Sequence, residues 1–454
     1  MKRPDGEGIG MVRMAVGRRT FLKAAGVAAG AAATSGLAGI LEAGRAPAYA
    51  QARKLHVLRW TDFIPESDAE LKRQAPLASK ALGAEVTIEF INVNDLQART
   101  TSAIESKFGA DIIQLLWNWP HLYAKNLVEV ADVAEPIGKA QGGYYDIFNS
   151  TAKVGGKWLA VPHGVIGNTV AYRRSWHAEI GVTEFPKTWD AWREVGKKLK
   201  AKGRPIGQAL GHSFGDPPTF CYPLLWSFGG AETDPSGKKV VINSKGTIES
   251  LKFFQAFWKD CCDEGGLAWD DTNNNRAFHA GEISATLNGA SIYVVAKRQQ
   301  EKIKDEKGQP LYLDIEHGAP LPGGPAGRFA LYVPFQHGVM SYSKNQKLAK
   351  DFLKWLHQKE NYEKWFEANG AYSVGSTKVW EEHPMWSRVD KPLRVYQAAA
   401  RQARMFGHAG PATAGATQVY TKYIIVDMYA KAAQGQKAED VAKWAEDELK
   451  KIYA

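Results

Sequence analysis

The sequence predicts an α/β protein of two domains with largely parallel sheets, and three observations carry that prediction. Residues 55–116 run strand, helix, strand, helix, strand; a second α/β alternation resumes past Lys202; and 454 residues at 44% hydrophobic composition supply apolar surface for more than one core. The same composition excludes a disordered chain, a collagen and a disulfide scaffold. The net charge is +10, but seven basic and three acidic side chains fall in the first 50 residues, and no basic run exceeds two residues. A solvated basic face follows, with no nucleic-acid partner.

Leu55 to Trp60 has the density of a short strand. Glu66 to Leu82 has the spacing of an amphipathic helix closed by Gly83, and Val86 to Ile91 is a second strand. Asn94 is placed to cap a helix whose Leu96, Ile104 and Phe108 fall on one face and which ends at Gly109. Asp111 to Leu116 is apolar enough for a strand buried on both faces. In such sheets ligands sit past the carboxyl ends of the strands, so Trp60-Thr61-Asp62 and Trp117-Asn118-Trp119 are candidate contact loops. Alternation sets Trp117 and Trp119 on one side and turns Asn118 away.

Further along, Gly167 to Arg173 and Arg204 to Leu210 suit strands, and Pro186 to Lys202, Gly246 to Asp263 and Thr219 to Phe228 suit helices. Asn345 to Asn369 and Ala438 to Tyr453 are the clearest helices of the last third. The loop Phe214 to Thr219 precedes a helix, aims backbone N–H groups at the site and offers Asp216 as acceptor or cap.

The N-terminus has the marks of a targeting segment. Arg18-Arg19-Thr20-Phe21-Leu22-Lys23 precedes an uncharged Ala/Gly-rich run to Leu41 and a small-residue site at Ala48-Tyr49-Ala50, which resembles a twin-arginine export signal cleaved after Ala50. The expected location is the periplasm. Cys221, Cys261 and Cys262 form no C-x-x-C, and the adjacent pair suits half-buried thiols. The 11 histidines lack ligand spacing, and Tyr144-Tyr145, a pair of the kind ferric-iron binders use, has no His or carboxylate cluster beside it, so no metal and no cofactor is expected. Gly211-His-Ser-Phe-Gly215 is a formal nucleophile elbow at Ser213, and a secreted serine hydrolase is the alternative it raises. Asp216-Pro217-Pro218 interposes a turn where that elbow needs its helix, and Asp62, Asp216 and Asp270 show no acid–base spacing, so no catalytic residue is expected.

Four stretches carry a family resemblance. Gly156 to Pro162 with Asn168 to Arg173 and Phe185-Pro-Lys-Thr-Trp-Asp190, then Ala277 to Gly289, then Ser343 to Leu353, and finally Gln434-Gly435 with the terminal helix, stand in the order and spacing of one family. The chain resembles the solute-binding proteins of bacterial ABC sugar importers, the group that includes maltose-binding protein. That resemblance implies a two-lobed periplasmic-binding-protein fold with residues 51–165 plus 336–375 in the N-terminal lobe and 166–335 plus 376–454 in the other. It implies crossings near Val165–Asn168, Pro334–His337 and Ser373–Lys378, and a monomer that closes by hinge motion over a solute and hands it to a permease.

A sugar presents hydroxyls to polar partners and a C–H face to an aromatic plate. The expected contacts are Trp117 and Trp119 as plates and Asp62, Asn118, Asp216 and Asn288 as polar partners, with Ser291 and His337 beside them. Ser291 stands where the family often carries a stacking Trp, which points away from a bulky oligosaccharide. A non-sugar solute, an organic acid or an amine, is the alternative within the same fold.

Overall fold

A computed structural model describes residues 53–401 and 403–453, so the export-signal expectations lie outside the described residues. Strands β1 (Lys54–Trp60), β2 (Glu85–Ile91) and β3 (Ile112–Leu116) pair in parallel, with Val57 opposite both Ile88 and Ile112. Helix α1 (Pro65–Leu82) joins β1 to β2 and ends where Gly83 takes φ 59°, a left-handed cap that glycine adopts without steric cost. Helix α2 (Val93–Ser106) joins β2 to β3. Its cap is Asn92, two residues before the expected Asn94, and it ends at Lys107. The helix ends before Phe108, which therefore leaves the face it was expected to share with Leu96 and Ile104 and stands 82% exposed.

β4 (Val161–Ile166) passes through Gly167 and Asn168 directly into β5 (Thr169–Arg173), which belongs to a second sheet with β6 (Ala285–Asn288) and β7 (Ile315–Gly318). β8 (Val333–Val339) and β9 (Ser373–Gly375) return to the first sheet, whose order becomes β9-β4-β8-β3-β1-β2. In the first sheet the largely parallel expectation holds for β2-β1-β3. β8 runs antiparallel to β3 and β4, β9 antiparallel to β4, and both pairings of β5 are antiparallel. These strands carry the chain between sheets instead of closing β-α-β crossovers, so nothing holds them to one direction. The strand expected at Arg204 to Leu210 is reduced to parallel bridges from Ile206 to Cys262 and Ala285.

In the second half, α3 (Trp189–Lys200) is capped by Thr188, whose hydroxyl accepts from Ala191 N–H at 3.2 Å. α4 (Asp216–Ser227) starts three residues before the expected Thr219, with Pro217 and Pro218 inside its first turn, where missing N–H groups cost nothing. α5 is Lys245–Cys261, and Cys261 and Cys262 are fully buried instead of half-buried. Trp189, Trp192, Phe220 and Phe257 form a second core, with successive ring centroids 5.2–5.7 Å apart around Trp189 and Trp192.

The single helix expected from Asn345 to Asn369 is two, α6 (Gln346–Leu356) and α7 (Lys359–Asn369). They break at His357, whose ring turns inward to contact Leu353 O and Pro162 O. Past β9, Trp380 packs on Tyr362 and Phe366 of α7 and His383 meets Glu363 at 2.7 Å, whereas Asp390 accepts from Tyr293 at 2.8 Å and Tyr396 reaches Thr169 of β5. The chain closes with α8 (Ala414–Thr421), Ile424–Ala433 and α9 (Ala438–Tyr453), the last as expected to the residue. Among the described residues no helix is long and apolar enough to cross a membrane.

Candidate solute cleft

β4 and β5, the start of β8 and the approach to β9 converge where the two sheets meet, and there the N-terminus of α4 faces the end of β6. The resulting cavity measures about 20 Å³, room for about one water. Its walls include Phe63, Phe214 and Tyr372, with Phe63 6.4 Å from Phe214 and 6.1 Å from Tyr372 between ring centroids. Asn168, Asp216, Asp271, Asn288 and Ser291 supply its polar lining. A far larger concavity of about 810 Å³ lies over Pro136, His357 and Trp380, away from this meeting of sheets, and it is an open groove between side chains of one sheet's helices.

Three expected residues come together here. Asn288 Nδ2 donates to Asp216 Oδ2 at 3.2 Å, and Ser291 Oγ donates to Asn288 Oδ1 at 3.0 Å. Asn274, which the sequence did not single out, donates to the same Asp216 Oδ2 at 2.7 Å. Asp271 was also missed. Its carboxylate accepts from Ser213 Oγ (2.7 Å), Gly215 N–H (3.0 Å) and Asp216 N–H (2.7 Å), so it caps α4 from a distant loop. A Cβ on Gly215 would lie 3.1 Å from Asp271 Oδ2, which is why the close approach suits glycine.

The expected N–H groups at this helix start are therefore already spent on Asp271 or, at Pro217 and Pro218, chemically missing. Burial above all pushes both carboxyls up. Asp271, which has three donors, rises to about 6, and Asp216, next to the charge of Asp271, rises further. Ser213 is fully buried with its hydroxyl committed to Asp271, and the neighbouring His212 turns instead to Asp427 at 2.7 Å.

The other expected residues sit elsewhere. Asp62 ties the entry to α1, accepting from Ile64 N–H at 2.9 Å and Ser67 Oγ at 3.0 Å, while its neighbour Phe63 lines the cavity. Trp117 is fully buried with φ 50°, unusual for a residue other than glycine; its N–H donates to Pro334 O and its carbonyl accepts from Gln336 Nε2 at 2.6 Å. Because this left-handed turn ends the strand, Trp117 and Trp119 do not share a side. Trp117 packs on Phe406 and Tyr420, and Trp119 packs edge-on to Tyr123. Asn118 Nδ2 donates to Thr413 O at 3.2 Å at the start of α8.

Tyr420 of α8 joins this triplet to the cavity wall, donating to Phe214 O at 2.9 Å. His337 lies buried inside the first sheet against Arg59, and its neighbour Gln336 is the one that reaches Trp117. The one-residue difference follows from alternation along β8. Among the described residues no group of His, Cys, Asp and Glu could hold a metal ion.

Residues 68–363 match the family of bacterial extracellular solute-binding proteins, and the chain belongs to that family. It is 24% identical over 325 residues to a probable ABC transporter-binding protein of Deinococcus radiodurans, covering 68% of this chain and 74% of that one. To the diacetylchitobiose binding protein DasA of Streptomyces coelicolor it is 27% identical over 292 residues, covering 62% and 64%. Among solved structures, maltose-bound MalE3 of T. maritima superposes with a TM-score of 0.74 at 21% identity, over 88% of this chain and all of that one. A ribitol-bound solute-binding protein of Agrobacterium radiobacter K84 gives 0.71 at 18% identity over 88% and 98%, and a laminaribiose-bound sugar transporter of Arthrobacter chlorophenolicus gives 0.72 at 18% over 88% and 99%. The fold is the two-lobed one these proteins share.

Proposed function

We propose that this chain is the solute-capturing component of an ABC importer. It takes a sugar or polyol between its lobes and delivers it to membrane permease subunits driven by an ATPase, breaking no bond. Asp216 is the observation that carries the hydroxylated solute. Two amides fix its Oδ2, and among the described residues its Oδ1 makes no hydrogen bond, at a cavity walled by three aromatic rings. Such an acceptor beside aromatic plates is what a polyhydroxylated ring or chain requires. Maltose, ribitol, laminaribiose and diacetylchitobiose, the solutes named for the relatives above, are all polyhydroxylated.

Residues 54–166 and 333–386 form one lobe in this reading, and 167–332 with 387–453 the other. The last boundary falls after Trp386 because Trp380 and His383 still pack on α7. The protein is exported by the twin-arginine route, cleaved after Ala50, and works as a periplasmic monomer. Thermal unfolding of the purified exported protein against mono- and disaccharides, polyols, organic acids and amines tests the reading. A solute that binds only the folded state raises the unfolding temperature by mass action. A shift with a sugar or polyol is expected, and shifts confined to organic acids would overturn the sugar.

A further inference from the structure

Around the cleft several buried acceptors go unmet, beside the indole N–H groups of Trp60, Trp117 and Trp119. Asp216 is about nine-tenths buried, and its Oδ1 is a free acceptor at the cavity. Asn118 Oδ1 and Gln336 Oε1, on the same seam through Trp117 and Tyr420, are buried acceptors without a partner among the described residues. Their orientation is fixed, because each amide nitrogen already donates to a carbonyl, Thr413 O and Trp117 O respectively.

On the donor side the cleft offers neutral groups, among them the amide of Asn168 and the hydroxyl of Tyr372, and among the described residues no Lys, Arg or His lines the cavity. Of the two helix starts at the cavity, that of α4 has lost its anion-binding capacity to Asp271, Pro217 and Pro218, and the other opens the two-turn helix Ser291–Arg298, whose Ser291 hydroxyl turns to Asn288. Two buried carboxyls thus face a chamber with aromatic walls and no countercharge from the protein.

We propose that the cleft selects a solute carrying a protonated amino group, an amino sugar or aminopolyol whose ammonium donates to Asp216 Oδ1, and that it rejects the corresponding sugar acids. This rests on the reading of the cleft as the sugar site. Burial holds the Asp216 carboxyl up, so the ammonium draws out its ionised form on binding; the charge-assisted bond that results is about twice as strong as a neutral one, and the amine should bind about tenfold tighter than its parent.

Matched trios test this by titration calorimetry on the exported protein: glucose, glucosamine and glucuronate; galactose, galactosamine and galacturonate; sorbitol, glucamine and gluconate. The expected order within a trio that binds is amine first, parent second, acid undetected. An acid that binds as well as its parent, or an amine no tighter than its parent, overturns the inference while leaving the importer reading in place. Failure of all nine also overturns it, and a hit with another sugar in the wider thermal panel then shows that only the inference has failed. Asp216→Asn, which keeps an acceptor for Asn274 and Asn288 and turns an amide nitrogen to the cavity, should weaken the amine far more than its parent and so abolish the amine preference. An unchanged preference in folded Asp216→Asn removes Asp216 from the role.

Discussion

Two clusters of buried polar groups, one inside the first sheet and one at the cleft, differ in sign and in what they leave unmet. Within the sheet, Arg59 of β1 meets His337 of β8 at 2.5 Å, and the His163 ring stands 4.7 Å from His337, 5.1 Å from His357 and 4.2 Å from Trp365. Burial above all holds His163 and His337 well below the ordinary imidazole range and His357 at about 4. At the cleft the buried groups are carboxyls, pushed up instead of down, and they border a cavity instead of a wall of rings. The contrast teaches that equal burial of polar atoms comes in two settings: groups under aromatic cover pack within the sheet, and groups at a chamber keep an open side, which the proposed function gives to a solute.

Removing the cover is the largest test. Trp365 is fully buried over His163, and its indole N–H donates to Ser67 Oγ at 2.9 Å. Trp365→Ala should cost about 3–5 kcal/mol of unfolding free energy in urea while leaving solute affinity of the folded protein unchanged. A loss below about 1 kcal/mol would dissolve the distinction.

Next comes pH, where the two clusters oppose each other. His357 falls from 6.5 unfolded to about 4 folded, so its contribution is full above 6.5 and is lost as pH drops toward 4, a swing of about 3 kcal/mol. Asp271 rises from 3.8 to about 6, so the folded state gains as pH drops from 6 to 3.8, by about the same amount. Urea midpoints measured from pH 7 to 4 should therefore fall less steeply in His357→Gln and more steeply in Asp271→Asn. Slopes that change in the same direction would end the contrast.

The smallest effect belongs to Ser291→Ala, which removes one hydrogen bond to Asn288 at 3.0 Å. Solute affinity should drop by about 1 kcal/mol with stability held nearly level, measured by calorimetry and urea unfolding side by side. Unaltered affinity would place Ser291 outside the working part of the cleft.

Much of this architecture was legible in the sequence. Apolar density marked β1, β2 and β3, Gly83 marked the end of α1, and the period of Ala438–Tyr453 marked α9 without error. Asp216, Asn288 and Ser291 were singled out from the sequence, two of them only through the family's spacing, and the structure joins them by hydrogen bonds. Asp271 was not, because its three donors lie 55 to 58 residues away in the chain and no local pattern links a carboxylate to a helix start at that distance. The break at His357 was hidden by an uninterrupted helical period. His337 and Gln336 differ by one residue and hence by a whole face of β8, and period two carries no hint of which face meets the cleft. Trp117 was placed at the right strand end, but its left-handed turn, held by Pro334 and Gln336, sends the two tryptophans apart.

The cavity described at the cleft also sets a clock. A chamber with room for about one water cannot hold a sugar ring as it stands, so a solute taken there needs its walls to move apart. Capture then waits for the lobes to part, and the observed association rate climbs with solute concentration only until it meets the opening rate, where it levels off. Past that concentration, supplying more solute leaves the speed of loading unchanged.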